Sequence, residues 1–225
     1  MRSGPRRVPD ARMPARLARP APPAALFDPL AGSLFLPAPE LVEWALATFV
    51  REDAPLLNEL HLHLRHARIG AQWTNVPNVA KQRRFAATAE TPRPPVTGGK
   101  WARGRWEQQL REWFGEPQPD FVLTFDAGLV DAAEDLVFCA TLEHELLHCG
   151  QAVDEWGAPR FSRETGKPLF ALVGHDVEEH VNIIERYGVD GGAGRTREFV
   201  AAAARKPVVG RAAALACGTC ARLAA

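Results

Sequence analysis

Hydrophobic and polar positions alternate along the chain with a helical period in some segments and an extended period in others. Helical spacing predicts helices from Pro39 to Arg51 and near Arg105 to Phe114. Short runs of β-branched and aromatic residues predict extended segments at Ala67 to Thr74, Arg84 to Ala89 and Phe121 to Phe125. This order of elements predicts an α+β fold, in which helices pack on a small mixed β-sheet.

The longest helical pattern covers residues 131–150, which contain no proline. Asp131 and Glu134 have the spacing of a capping box, so the helix is expected to begin there. Leu142 and Leu146 fall on one side of this helix and are expected to face the core. The opposite side is therefore predicted to be polar and accessible.

That polar side carries the motif H-E-x-x-H, formed by His144, Glu145 and His148. Histidines four residues apart lie on the same side of a helix, so both imidazoles can reach one zinc ion. The glutamate projects to the flank of that side, where it can take a proton from the attacking water. The motif predicts a zinc hydrolase in which His144 and His148 bind the metal and Glu145 is catalytic.

A catalytic zinc requires a third protein ligand, and the sequence offers several candidates. His175 is our prediction, because it stands at the start of a second helical pattern that stops at Gly188. Glu179 is the alternative metal ligand, and Asp154 is a weaker oxygen donor. Asp176 has capping-box spacing to Glu179 and is expected to hold an imidazole N–H as a second-shell group.

A family resemblance rests on the order of these segments. An extended segment at 120–125, the H-E-x-x-H helix, the segment 174–179 and the terminal Arg186-Tyr187-Gly188 together resemble the phage metallopeptidases. That family is similar to the SprT-like and WLM zinc proteases, and the resemblance covers roughly residues 60–188. It implies a minimal zincin-like domain with a third-ligand helix after the H-E-x-x-H helix. It also implies zinc on three histidines, His175 being the third, and a catalytic acid–base at Glu145.

Composition divides the chain of 225 residues into three parts. The first 24 residues hold six Arg and one acid, which predicts a disordered basic arm. Residues 25–190 are expected to form the single metallopeptidase domain. Residues 191–225 are predicted to be a Gly-rich linker and an Ala-rich helix that starts near Thr196, with Cys217 and Cys220 in a C-x-x-C tail.

Charge is unevenly distributed although the formal net charge is zero. The segment from Lys81 to Arg111 has eight basic residues against two acids, whereas Gly128 to Asp190 has thirteen acids against four bases. Nucleic acid could contact the basic N-terminal arm or this basic segment, whose tryptophans could stack on bases, but neither is favoured. The helical spacing of Trp106, Leu110 and Trp113 favours core packing. The expected partner is a protein or peptide substrate. The alternative is a zinc-bound phage or prophage interaction module, associated with nucleic acid and with little or no peptidase activity.

Three further expectations concern location, substrate and histidines. The four cysteines form no disulfide framework, and no signal peptide or membrane segment is recognisable, so a cytoplasmic protein is expected, in a phage or prophage setting. The segment from Phe121 to Phe125 is expected to lie beside the active-site helix, with a free edge for a substrate strand. His61, His63 and His66 are expected to be solvent-facing or capping residues rather than a second metal site.

Overall fold

The computed structural model describes residues 18–80, 83–93, 99–178, 180–189, 195–207 and 209. Its strands are β1 (Phe35–Pro37), β2 (Ile69–Thr74), β3 (Asn78–Ala80), β4 (Arg83–Phe85), β5 (Ala87–Glu90), β6 (Phe121–Asp126), β7 (Cys149–Gln151) and β8 (Phe170–Leu172). Its α-helices are α1 (Pro39–Ala45), α2 (Lys100–Phe114), α3 (Ala127–Asp131), α4 (Asp135–His148), α5 (Val181–Tyr187) and α6 (Thr196–Ala203). A π-helical turn, Leu46–Val50, continues α1, and 3-10 helices cover Ala24–Phe27 and Glu59–His66. The predicted α+β fold with a small mixed sheet is confirmed.

The central sheet has four strands in the order β1-β2-β6-β5. β2 and β6 run parallel, whereas β1 and β5 pair antiparallel with their neighbours. Two hairpins, β3-β4 and β7-β8, form separate two-stranded sheets. β5 is thus the edge strand of the central sheet on the side of β6, and it packs against α4.

Alternation along the strands gives the sheet one apolar face and one partly polar face. On the apolar face, Trp73 and Phe125 are fully buried and meet edge to face, with ring centroids 5.8 Å apart. The same core contains Trp44 of α1 and Phe138 of α4, whose rings lie 5.2 Å apart. The core therefore sits between the sheet and the two helices α1 and α4.

The other face of the sheet is covered by α2. Phe114, the last residue of α2, packs directly on β2 at Gly70, where an added Cβ would lie 2.9 Å from the ring. A side chain at this position would push the helix away, so the close approach requires glycine. Gln72 and Thr124 lie in the middle of this face and hydrogen-bond to each other at 2.8 Å.

The prediction of a free edge on the segment from Phe121 to Phe125 is wrong. β6 pairs along its length with β2 on one side and with β5 on the other. Four of its residues are essentially fully buried, which is typical of an interior strand. The strand that lies beside the active-site helix with an open side is β5.

The active-site helix begins later than its sequence pattern predicts. Asp131 ends α3 instead of opening α4, and the capping side chain is Asp126, which accepts a hydrogen bond from the N–H of Leu129 at 3.1 Å. α4 begins at Asp135, and Glu134 precedes it without a side-chain cap. A short extra helix therefore carries the chain from the end of β6 to the start of α4.

The second predicted helix also begins later, at Val181. Gly188 ends it with a φ of 71°, as predicted. Since residues 174–178 are not helical, the predicted third-ligand helix is wrong in its position: His175 lies in the loop that precedes α5.

Packing at the N-terminal side of the described chain begins before residue 25. The Arg19 guanidinium bonds the carbonyl of Ala133 at 2.8 Å and the carboxylate of Asp135 at 2.9 Å, and it lies over the ring of Phe138. Arg19 therefore contacts the start of α4 and the core residue Phe138. α6 starts at Thr196, as expected, while the linker residues 191–194 and the C-x-x-C pair lie outside the described residues. Among the described helices, none has the length and apolar character needed to cross a membrane.

Candidate metal centre

The middle of the candidate site is the polar side of α4. The buried side of this helix carries Phe138, Leu142 and Leu146, each at most 1% exposed. This anchors α4 on the core and turns His144 and His148 toward the surface, as their four-residue spacing requires. The sequence-predicted separation between an apolar face and a histidine face is present in the structure.

His175 joins the two helical histidines to form a group that could hold a metal ion. Its Nε2 lies 3.1 Å from the Nε2 of His144 and 3.1 Å from that of His148, and the two helical Nε2 atoms are 3.2 Å apart. Three imidazoles that bind one tetrahedral zinc at 2.0–2.1 Å place their nitrogens about 3.3–3.4 Å apart. The observed triangle is close to that size, so the three residues fit such an ion.

The loop after β8 orients the second and third histidines. The Nδ1 of His148 lies 2.6 Å from the carbonyl oxygen of Val173, and the N–H of Val173 donates to the carbonyl of His148 at 2.9 Å. An Nδ1–H that donates to this carbonyl leaves Nε2 free to bind a metal. Because Val173 is two residues before His175, the same pair of contacts brings His175 to α4.

Glu145 lies on the side of α4 that faces β5 and is 5% exposed. Its carboxylate accepts a hydrogen bond from the backbone N–H of Ala89. Burial raises the pKa of Glu145 to about 7, although the nearby His148 and the bond from Ala89 act in the opposite direction. Burial, together with the charges of the other two histidines, lowers the pKa of His144, which favours the neutral ring that binds metals.

The segment before β2 holds α4 at two points. Asn58 donates to the carboxylate of Glu143 at 2.8 Å, and the Nε2 of His61 lies 3.6 Å from the same oxygen. The second point is at the C-terminal end of α4, where the carbonyl oxygen of Cys149 lies 2.7 Å from the Nε2 of His63. The solvent-facing role expected for His61 is wrong, because its ring is fully buried. No local pattern signals these contacts, since their partners are 85 and 86 residues away.

Of three other residues that the sequence suggested for the site, two lie away from the imidazole triangle and one lies outside the described residues. Asp176 pairs with Arg195 at 3.1 Å instead of holding an imidazole. Asp154 caps a turn by accepting the N–H groups of Trp156 and Ala158. Glu179 lies outside the described residues.

Among the described residues, Glu178 places a carboxylate oxygen 3.9 Å from the Nδ1 of His175. The side chain of Glu178 is 82% exposed, so water competes for this contact. Because the segment is a loop, the position beside His175 falls to Glu178 and not to Asp176.

A cleft of about 240 Å³ opens over the imidazole triangle. One wall is β5, with Ala87, Thr88 and Ala89, and it continues to Phe85. The opposite wall consists of the apolar side chains of Leu172 and Val173. The cleft is thus an open groove in which the histidines and Glu145 face an edge strand.

An H-E-x-x-H helix, a third histidine that converges on the same point and a carboxyl group beside them define a metallopeptidase-like site on an α+β domain. The chain belongs to the family described as "Putative phage metallopeptidase", whose model matches residues 42–204. This confirms the family that the sequence resembles. No curated protein and no solved structure matched the chain significantly.

Proposed function

We propose that the protein is a zinc-dependent peptidase in which His144, His148 and His175 bind zinc. The observation that carries this proposal is the triangle of Nε2 atoms, 3.1–3.2 Å apart, next to a buried glutamate. All three donors are imidazoles, a ligand set that suits zinc and leaves a fourth position open for substrate chemistry. Membership of a metallopeptidase family supports the same reaction class.

Glu145 is the catalytic acid–base in this proposal. Bound zinc supplies a Lewis acid that polarises the scissile carbonyl and makes a water more acidic. The Glu145 carboxylate accepts the proton of the attacking water and then donates it to the leaving amine. A pKa of about 7 in the protein without metal suits a group that must both accept and release a proton near neutral pH. The N–H of Ala89 holds the carboxylate in place through both steps.

The substrate in this proposal is an extended peptide that adds to β5 as a further strand. The carbonyl of Ala86 accepts from the N–H of Asp126 at 2.8 Å, so alternate residues from Ala86 direct their backbone groups toward β6. Ala87 and Ala89 consequently direct theirs toward the cleft, in agreement with the bond from Ala89 to Glu145. An edge strand that presents backbone groups binds a peptide main chain without depending on its sequence.

Metal analysis and a peptidase assay test this proposal together. The purified protein is expected to contain one zinc ion per chain and to cleave an unfolded protein such as reduced casein. Glu145→Gln is expected to retain zinc and to lose activity by about a hundredfold or more. Glu155→Gln, at an exposed position outside the cleft, is the matched control and should remain active. Full activity of Glu145→Gln would refute the acid–base role, and the absence of stoichiometric zinc would refute the ligand set.

A further inference from the structure

The cleft over the imidazole triangle is bordered by apolar side chains that remain accessible to solvent. Phe85, Leu172 and Val173 line it and are 40%, 45% and 47% exposed. Single exposed apolar residues are common on protein surfaces, whereas several around one concave site are typical of a binding site. The cleft volume of about 240 Å³ is below the range of about 300–1,000 Å³ that is usual for small-molecule pockets. The cleft therefore has room for individual side chains of an extended peptide.

The lining of the cleft offers no charged partner to a substrate side chain. Among the described residues, those that line it include no lysine, arginine or aspartate, and Glu145 carries their only carboxyl group. This carboxyl accepts the N–H of Ala89, and in the proposed reaction it is committed to proton transfer. A charged side chain against the apolar wall would lose water without gaining an opposite charge, which is unfavourable. Burial of an apolar side chain at the same place is favourable.

The wall formed by Leu172 and Val173 lies next to the metal-binding histidines. The carbonyl oxygen of Val173 lies 2.6 Å from the Nδ1 of His148, and His175 follows Val173 by two residues. A peptide carbonyl at the metal would therefore place a side chain that flanks the scissile bond against this wall. Phe85 belongs to the opposite wall, where it precedes β5, and would contact a residue further along the peptide.

Two contacts hold this wall in place before a peptide binds. Phe170, two residues before Leu172 in β8, packs on Phe121 of β6, and the ring centroids are 5.7 Å apart. The side chain of Val173 lies over Gly150 of β7, where an added Cβ would collide with it. A preformed wall loses little further freedom when a ligand binds, so its contacts contribute to affinity and selectivity.

We propose that Leu172 and Val173 form a subsite that selects substrates with an apolar side chain next to the scissile bond. The inference rests on the proposed peptidase function and specifies its substrate class, namely extended peptides with an uncharged apolar residue at one position that flanks the cut. Leu172 is the residue to test, because Val173 also holds the loop that carries His175.

Peptide binding to the Glu145→Gln protein, prepared with zinc, tests the subsite without cleavage. The probes are fluorescein-labelled peptides of serine and threonine with a blocked C-terminus and one central guest residue, which is leucine or lysine. By fluorescence anisotropy, the leucine peptide is expected to bind at least about tenfold more tightly than the lysine peptide. Addition of Leu172→Glu to the same protein should reverse this preference, because the new carboxylate can pair with lysine and removes part of the apolar wall.

Val153→Glu is the matched control, because it adds the same charge to the segment that joins β7 to β8. Val153 is 55% exposed, which is close to the 45% of Leu172, and it does not line the cleft. The ratio of the two peptide affinities should stay within about twofold of the ratio without this substitution. Leu172→Ala is a milder variant that should weaken binding of the leucine peptide about threefold or more without a gain for lysine. Circular dichroism checks that each variant is folded.

Mass spectrometry of the casein fragments released by the parent protein gives a second measurement. The cleaved bonds are expected to have an apolar residue at one flanking position more often than casein as a whole. The subsite is overturned if the leucine and lysine peptides bind equally, or if Leu172→Ala leaves the affinity for the leucine peptide unchanged. It is also overturned if the folded variants Leu172→Glu and Val153→Glu show the same preference, or if the cleaved bonds show no apolar enrichment.

The failure of the subsite and the failure of the proposed function are distinguishable. Absence of stoichiometric zinc or of casein cleavage by the parent protein would refute the proposed peptidase. The preference between the two peptides is measured on a variant that is not required to cleave them. A protein that binds zinc and cleaves casein without an apolar preference would refute the subsite alone.

Discussion

Replacing Glu145 with glutamine is expected to stabilise the metal-free protein at alkaline pH. The side chain is 5% exposed, and burial raises its pKa from 4.5 to about 7. Burial penalises the carboxylate and not the neutral acid, so the folded protein is destabilised when this group ionises. Glutamine is neutral at every pH and can still accept the N–H of Ala89. The substitution therefore removes the penalty and retains the hydrogen bond.

The size and sign of the effect follow from the two pKa values. The folded state binds this proton more tightly than the unfolded state, so the free energy of unfolding decreases as the pH rises from 4.5 to about 7. At about 1.36 kcal/mol per pH unit, this interval corresponds to an upper limit of about 3 kcal/mol. Below pH 4.5 the Glu145 carboxyl is protonated in both states and contributes no pH dependence. The advantage of Glu145→Gln should thus be fully developed above pH 7.

Urea unfolding of chelator-treated protein between pH 5 and pH 8 measures this effect. Glu143→Gln is the control on the same helix, because it is expected to change the free energy of unfolding in the opposite direction. Burial alone would raise the pKa of Glu143, but the nearby His61 and the hydrogen bond from Asn58 outweigh burial and lower it. The ionised Glu143 therefore stabilises the fold above pH 4.5, and this stabilisation is lost as the pH falls through its lowered pKa. Its replacement should reduce stability at neutral pH.

The reasoning about Glu145 fails if the stability difference between Glu145→Gln and the parent protein is the same at pH 5 and pH 8. It fails equally if Glu145→Gln is the less stable protein at pH 8. Either result would mean that the ionised carboxylate is compensated in the folded protein, for example by solvent in the cleft.

Three further predictions concern the site and its support. His175→Ala should weaken zinc binding at least about tenfold in a chelator competition assay, whereas Glu179→Ala should not; the opposite order would make the glutamate the third ligand. Ala87→Pro removes an N–H that faces the cleft and makes no hydrogen bond to β6. It should therefore raise KM for a peptide and leave the zinc content unchanged. An unchanged KM would exclude strand addition at β5. His63→Leu removes a hydrogen bond to the end of α4 and should cost about 1 kcal/mol in urea unfolding, with the exposed His66→Leu as a neutral control. Equal costs for these two histidine variants would show that the bond contributes nothing.

Local periodicity was sufficient to predict the part of the site that lies on one helix. His144 and His148 share a side of α4 because four residues make slightly more than one turn, and Leu142 and Leu146 are buried for the same reason. The strand β6 was also recognisable, because a run of apolar and β-branched residues is typical of a buried strand. In each case, the information lies within one element.

Local periodicity does not predict the order of the strands or the loop that carries His175. Asp131 and Glu134 have the spacing of a capping box, but Asp131 ends α3 and Glu134 precedes α4. The spacing alone therefore does not identify a helix cap. His175 reaches α4 through the β7-β8 hairpin and the contact between Val173 and His148, a non-local contact that leaves no periodic signal. The edge position of β5 depends on the pairing of four strands, which no single segment specifies.

The acidic and basic segments of the chain lie on opposite faces of one sheet. The acidic segment from Gly128 to Asp190 contains the H-E-x-x-H helix and His175 on the apolar side of the sheet, and the basic segment contributes α2 to the other side. β5 contributes residues to both sides, because the side chains of neighbouring residues in a strand point to opposite faces. Ala89 donates its N–H to Glu145, while the side chain of the next residue, Glu90, lies beside α2. Substitutions on α2 can therefore alter the charge of the basic segment without changing a residue that lines the proposed peptidase cleft.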